Sequence, residues 1–134
     1  MPTENFRGET MSLVIRRCLK CGATVEVLKD CTCDNCGIKC CGETMAEMVP
    51  NTVDAAAEKH LPQVEVLNNY VVVTVNHVME DDHYIEWIAL ASDKVLGKKF
   101  LKPGEQAKVV FPYIKGSEVH AYCNKHGVWK TDVK

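Results

Sequence analysis

The sequence predicts an all-β sandwich preceded by a small cysteine-rich metal-binding module. Two observations carry the sandwich. From residue 63 onward the chain reads as six or seven short β-branched and aromatic runs at about 8–12-residue spacing, punctuated by turn residues. Only one weak helical signal precedes them, an alanine run at Ala55-Ala56-Ala57. A third observation carries the module: of eight cysteines, seven lie between Cys18 and Cys41, and Cys123 stands alone near the C-terminus.

Taken in order, residues 1–12 are polar and unpatterned and read as an extension or arm. Met11-Ser12-Leu13-Val14-Ile15 opens directly onto the cysteines. Residues 13–48 form the cysteine-rich module, too small to fold on its own apolar core, so a metal must supply stability. Residues 49–134 form the sandwich domain. It begins with a loop from Pro50 in which the alanine run predicts one helical turn capped by Asp54. Val64 and Val66 alternate with polar residues, Asn68-Asn69 offers a turn, and Tyr70–Val75 is β-branched and aromatic. Glu80-Asp81-Asp82 breaks the pattern. His83–Leu90 resumes it, and strict alternation puts His83, Ile85, Trp87 and Ala89 on one face. Further strands are predicted over Lys94–Leu101, Lys108–Ile114, Glu118–Cys123 and Val128–Thr131, with Pro103-Gly104 and Lys115-Gly116-Ser117 between them.

Composition excludes several classes. Lys plus Arg is 16 and Asp plus Glu is 18, a net charge of −2. Nucleic-acid binding is therefore not expected, because phosphate contacts need a basic excess. An apolar fraction of 46% excludes an acidic disordered tail. The stretch Tyr70–Val75 is far too short to span a bilayer, so no membrane partner is expected. The N-terminus lacks a basic start followed by an apolar core, which predicts a cytoplasmic protein. In that compartment clustered cysteines read as metal ligands or redox groups before disulfides.

Two constellations carry chemistry. Cys18-x-x-Cys21 turns two thiolates around one metal, and the adjacent pair Cys40-Cys41 closes a tetrahedron suited to iron or zinc. Cys33-x-x-Cys36 is also a candidate ligand pair, and Cys31 lies beside it. The second constellation is His60, His77, His83, Cys123 and His126. Cys123-Asn124-Lys125-His126 puts a thiolate and an imidazole within one turn, and His77 and His83 flank the acidic break, where they can face each other. Nitrogen-rich ligation with one soft thiolate suits iron, copper or zinc.

Three blocks appear in order: Glu58-Lys59-His60-Leu61-Pro62, then His77-Val78-Met79 through His83-Tyr84-Ile85-Glu86-Trp87-Ile88, then Tyr122-Cys123-Asn124-Lys125-His126-Gly127-x-Trp129. They closely resemble the superoxide reductase family. Cys18-Leu19-Lys20-Cys21-Gly22 and Cys40-Cys41-Gly42 resemble the desulforedoxin-like module of its two-iron branch, the desulfoferrodoxins. The resemblance covers roughly residues 13–134. It implies an immunoglobulin-like sandwich, a homodimer, and reduction of superoxide to hydrogen peroxide with electrons from a small carrier such as rubredoxin. It implies a square-pyramidal ferrous site, with His60, His77, His83 and His126 equatorial and Cys123 axial. It makes Glu58 the carboxylate that ligates the ferric form and Lys59 the cation beside the open position. His120 matches no ligand and reads as an ordinary polar residue. Two departures stand out. Val78 replaces the proline common in the family. The stretch between Cys21 and Cys40 is longer than usual and holds three extra cysteines. An iron–sulfur cluster or a structural zinc therefore stands beside iron as an alternative at the N-terminal site. A rubredoxin-like electron carrier or non-catalytic metal-binding module is the alternative for the whole chain. Such a module needs neither the four histidines nor Glu58-Lys59.

The residue types suit that chemistry. A thiolate donates electron density to iron, as cysteine does to haem. Lys59 attracts an anionic substrate and holds a water that delivers a proton.

Overall fold

A computed structural model describes residues 13–33 and 37–134. The extension at 1–12 and Cys36 lie outside them. The chain divides into two compact units, Met1–Val49 and Pro50–Lys134.

In the first unit β1 (Ile15–Arg17) pairs with β2 (Thr24–Glu26) on one side and β5 (Ala46–Glu47) on the other. A separate hairpin joins β3 (Lys39–Cys40) to β4 (Glu43–Thr44). No strand was legible here in the sequence, because two or three residues are too few to register a period of two. Among the described residues of this unit, the buried apolar side chains are Leu13, Ile15, Cys18 and Met45. So small a core fits a fold held by a metal.

The second unit holds β6 (Gln63–Leu67), β7 (Tyr70–Thr74), β8 (Ile85–Ala91), β9 (Leu96–Phe100), β10 (Lys108–Pro112), β11 (Glu118–Cys123) and β12 (Gly127–Asp132). All pairings are antiparallel, in one sheet ordered β10-β7-β6 and another ordered β12-β11-β8-β9. Val71, Val73, Val109 and Phe111 of the first sheet meet Ile88, Leu90, Val119 and Ala121 of the second in one core. This is the expected sandwich, with immunoglobulin-like layers of three and four strands. Asn68-Asn69 forms the two-residue turn between Leu67 and Tyr70, with Asn68 at φ 55° as a tight hairpin requires.

Three expectations are corrected. The helical turn is a single 3₁₀ turn, Ala57–Lys59, that starts after an extended Ala56 and has no side-chain cap. Asp54 lies too far upstream to serve it. The alternation read along β8 also fails at its start. Tyr122 pairs with Trp87 but Cys123 pairs with Ile85, so Glu86 is an extra residue. A one-residue bulge reverses the faces. Ile85 accordingly joins Ile88 and Leu90 in the core instead of sharing a face with Trp87. Lastly, His120 is fully buried. It lies between Val119 and Ala121 on β11, pointing away from the core they enter, and pairs with Ala89 and Lys130. Burial pushes its pKa down to about 4, against the pull of Glu118. Among the described residues no helix is long and apolar enough to cross a membrane.

Candidate metal centre

At one end of the second unit the loops bring five side chains together. The donor atoms of His60, His77, His83, Cys123 and His126 all lie within 4.8 Å of one another. The imidazoles form a closed circuit of edge-to-face rings. Centroids are 4.7 Å apart from His60 to His77, 4.6 Å from His77 to His83, 5.2 Å from His83 to His126, and 4.9 Å from His126 back to His60. The Cys123 sulfur sits 3.4 Å from His77 Nε2 and 3.8 Å from His126 Nδ1, which are opposite corners of that circuit.

Local structure decides which nitrogen each ring offers. His60 follows the 3₁₀ turn, and its Nδ1–H donates to the Ala56 carbonyl at 2.8 Å, leaving Nε2 to face the cluster. His77 does the same through the Val78 carbonyl at 2.6 Å. Such backbone acceptors commonly fix the tautomer of a ligating histidine. His83 sits on the Glu80–His83 bridge, and its Nε2 is buried with no hydrogen-bond partner among the described residues. A buried nitrogen left so is costly unless something satisfies it, and a cation among the five donors would do so. Gly127, at φ 80°, closes the tight turn that returns β11 into β12 and holds Cys123 and His126 together.

The electrostatics agree. Burial lowers the pKa of His77 and His126, reinforced by the neighbouring imidazoles, which favours the neutral form that can ligate. Burial raises the Cys123 thiol, while the N–H groups of Lys125 and His126 favour its thiolate. Binding a metal therefore displaces a proton from sulfur.

The first unit carries a second donor set, the sulfurs of Cys18, Cys21, Cys40 and Cys41, again within 4.8 Å of one another. Cys21 Sγ is 3.6 Å from Cys40 Sγ, which is 3.9 Å from Cys41 Sγ. A tetrahedron with metal–sulfur bonds of about 2.3 Å has edges of about 3.8 Å. Cys18–Cys21 is a knuckle in which the Gly22 N–H returns to the Cys18 carbonyl at 2.9 Å. Cys41 and Gly42, at φ 54° and 79°, are the two central residues of the β3–β4 turn, which is how adjacent cysteines reach one point. The Cys18 thiol is lowered to about 6, chiefly by the Cys21 N–H and then that of Lys20. The Cys40 thiol is raised to about 12 by the thiols of Cys21 and Cys18. Cys33 is exposed, Cys31 is disulfide-bonded, and neither belongs to the four-sulfur set.

Comparison with known proteins bears on both sets. Residues 52–132 match the desulfoferrodoxin family profile. The chain is 46% identical over 123 residues to a desulfoferrodoxin of Nitratidesulfovibrio vulgaris, covering 88% of this chain and 94% of the relative. The chain belongs to the desulfoferrodoxin family. It is also 43% identical over 128 residues to a desulfoferrodoxin of Desulfarculus baarsii, covering 90% of this chain and 96% of that one. The crystal structure of the superoxide reductase from Treponema pallidum superposes with a TM-score of 0.65 at 30% identity, covering 87% of this chain and 98% of that chain.

Within this desulfoferrodoxin-family fold, Glu58 and Lys59 stand on the 3₁₀ turn that leads into His60, both exposed and outside the five-donor cluster. The departure at Val78 costs the site nothing at His77, because the contact is a main-chain carbonyl that any residue supplies. Trp129 was visible in the third sequence block but had no assigned role. Its ring stacks on His60 at 4.9 Å, and its Nε1–H donates to the His126 carbonyl at 3.0 Å, supporting two of the five clustered side chains at once. The Ala56 and Val78 carbonyls left no signal in the sequence, since a backbone acceptor has no residue type.

Proposed function

We propose that this protein is a superoxide reductase, catalysing one-electron reduction of superoxide to hydrogen peroxide at a mononuclear non-haem iron site. The observation that carries this reading is the closed circuit of four imidazoles with one buried sulfur, with the Nε2 of His83 buried and without a hydrogen-bond partner among the described residues. His60, His77, His83 and His126 would hold the iron through nitrogen and Cys123 through sulfur. When bound, ferrous iron would supply the electron, and the Cys123 thiolate would enrich it in electron density.

The chain's own residues do the rest. The Ala56 and Val78 carbonyls hold two imidazoles in the ligating tautomer, and Trp129 backs His60. Lys59 draws the anion in and holds a water whose proton goes to the departing peroxide. Glu58, exposed on the turn that leads into His60, would be a carboxylate ligand to the oxidised iron. The four sulfurs of the first unit fit one ion, iron or zinc, by their spacing. The same reading includes a small reductant such as rubredoxin, a homodimer and a cytoplasmic location.

The test is stoichiometry. Anaerobic ferrous protein is exposed to pulses of superoxide while peroxide, dioxygen and iron oxidation are followed. One peroxide per superoxide, with one iron oxidised and no dioxygen evolved, is the expected result. Dioxygen evolution, or iron that stays ferrous, would refute the reading.

A further inference from the structure

Outside the five donors, one side chain links the two loops that carry three of them. Asn124 directly follows Cys123 and lies two residues before His126. Here the ladder between β11 and β8 slips, and regular pairing ends at Cys123 and Ile85. Beyond that point the Asn124 amide takes over from the strand. Its Nδ2 donates to the Asp82 carbonyl at 3.0 Å, and its Oδ1 accepts from the Tyr84 N–H at 3.0 Å. The Asn124 N–H also donates to the Tyr84 carbonyl at 3.2 Å. Asp82 and Tyr84 are the two neighbours of His83. One residue thus grips the backbone on both sides of one donor while being covalently joined to another. The Lys125–Asp82 ion pair spans the same gap, but at 3.9 Å between exposed side chains it adds little.

We propose that Asn124 is a positioning residue that fixes His83 relative to Cys123 and His126, and so sets the retention and the ligand field of the metal. This rests on the reading that the five donors hold iron. Alanine at 124 removes both side-chain bonds and frees the His83 segment to move against the Cys123 turn. Losing such an outer support typically costs about 10–100-fold in metal affinity. Aspartate keeps the acceptor for the Tyr84 N–H and loses the donor to the Asp82 carbonyl, so it restores part of the effect.

The experiment uses the full chain loaded with ferrous iron, as wild type, Asn124→Ala, Asn124→Asp, and Val109→Ala as a core variant on β10. Iron retention is titrated against a chelator, and the thiolate-to-iron band is recorded after oxidation. Asn124→Ala should weaken retention by about 10–100-fold and shift the band, with Asn124→Asp between it and wild type. Val109→Ala should lower the melting temperature and leave the band in place. Wild-type retention and an unshifted band in Asn124→Ala would overturn the role of Asn124. So would an equal shift and loss in Val109→Ala. If Asn124→Ala does not fold, Asn124→Asp decides, and wild-type values there overturn the proposal. A wild-type protein with no thiolate-to-iron band would instead overturn the iron reading itself.

Discussion

Cys123 is fully buried at the end of β11, where it meets His77 and His126 across distances that suit a shared ion. Serine in its place keeps the size but not the soft donor. Cys123→Ser should abolish the visible thiolate band of the five-donor site and nearly all superoxide reduction. A buried hydroxyl left without a partner costs about 1–3 kcal/mol, which the two-sheet core absorbs. Circular dichroism should show an intact β signature, and an unchanged visible spectrum would exclude Cys123 as a ligand. All five donors were legible in the sequence, because histidine and cysteine carry their chemistry in their identity. His120 was not, because its burial is made by the flanking strands, β12 and β8, with which it pairs at Lys130 and Ala89, and the charges that act on it come from Glu118 on its own strand, Lys130 and Asp132 on β12 and Lys98 on β9. With its pKa near 4 in the fold and 6.5 ordinarily, His120 binds a proton in the unfolded chain before it does so in the folded one. Its contribution to stability is complete above pH 6.5, falls as pH drops through the window to 4, and is constant below, amounting to roughly 3 kcal/mol. Urea unfolding at several pH values should show a shallower acid limb for His120→Leu than for wild type over that window. Parallel limbs would mean that His120 does not titrate as the fold requires.

Turns and strand ends place the donors. The strand set of the second unit was readable because its residues are β-branched and its turns use Asn, Gly and Pro. Glu118–Cys123 was bounded correctly, and the other strands to within a few residues. The bulge at Glu86 was not readable, since a bulge is a property of two strands and leaves no mark in one. Yet it marks where regular pairing of β8 with β11 ends, next to the loops that bring the five donors together. In the first unit the deciding element is the β3–β4 turn. Gly42 there has φ 79°, and a methyl group on its Cα would meet nothing within 4 Å, so a substitution is opposed by backbone conformation and not by crowding. Gly42→Ala should cost about 1–2 kcal/mol in that turn. Where folding and metal binding are coupled, that lowers retention of the N-terminal metal by about 5–30-fold. Gly104→Ala, at φ 88° and equally open in the other unit, is the control. It should leave that metal in place under the same chelator. Equal metal loss from both variants would detach the effect from the turn.

Across the whole chain the two donor sets divide cleanly: residues 18–41 supply the four sulfurs of the first unit, and residues 60–126 supply the five donors of the second. Cys21→Ser should therefore strip the N-terminal metal, seen by metal analysis, while single-turnover reduction of superoxide by pre-reduced protein stays near wild type. Collapse of that turnover together with the N-terminal metal would show that the second unit does not work alone. Charge is the other property of the whole molecule. The net charge is −2, so the overall field does not attract a small anion. Any attraction is local, and Lys59 adjoins His60 on an exposed turn. Steering of this kind raises on-rates by roughly 10 to 10³ and weakens as salt screens it over about 10 Å. Lys59→Met should slow the second-order reaction with superoxide by roughly tenfold or more and flatten its salt dependence. Iron content and the thiolate band should persist, because the lysine lies outside the donor cluster. Glu58→Ala should separate from it, leaving the encounter rate near wild type and changing the ferric spectrum. Pulse-radiolysis rates at two ionic strengths decide between the two roles. A Lys59→Met rate equal to wild type at low salt would reduce Lys59 to a solvated surface residue.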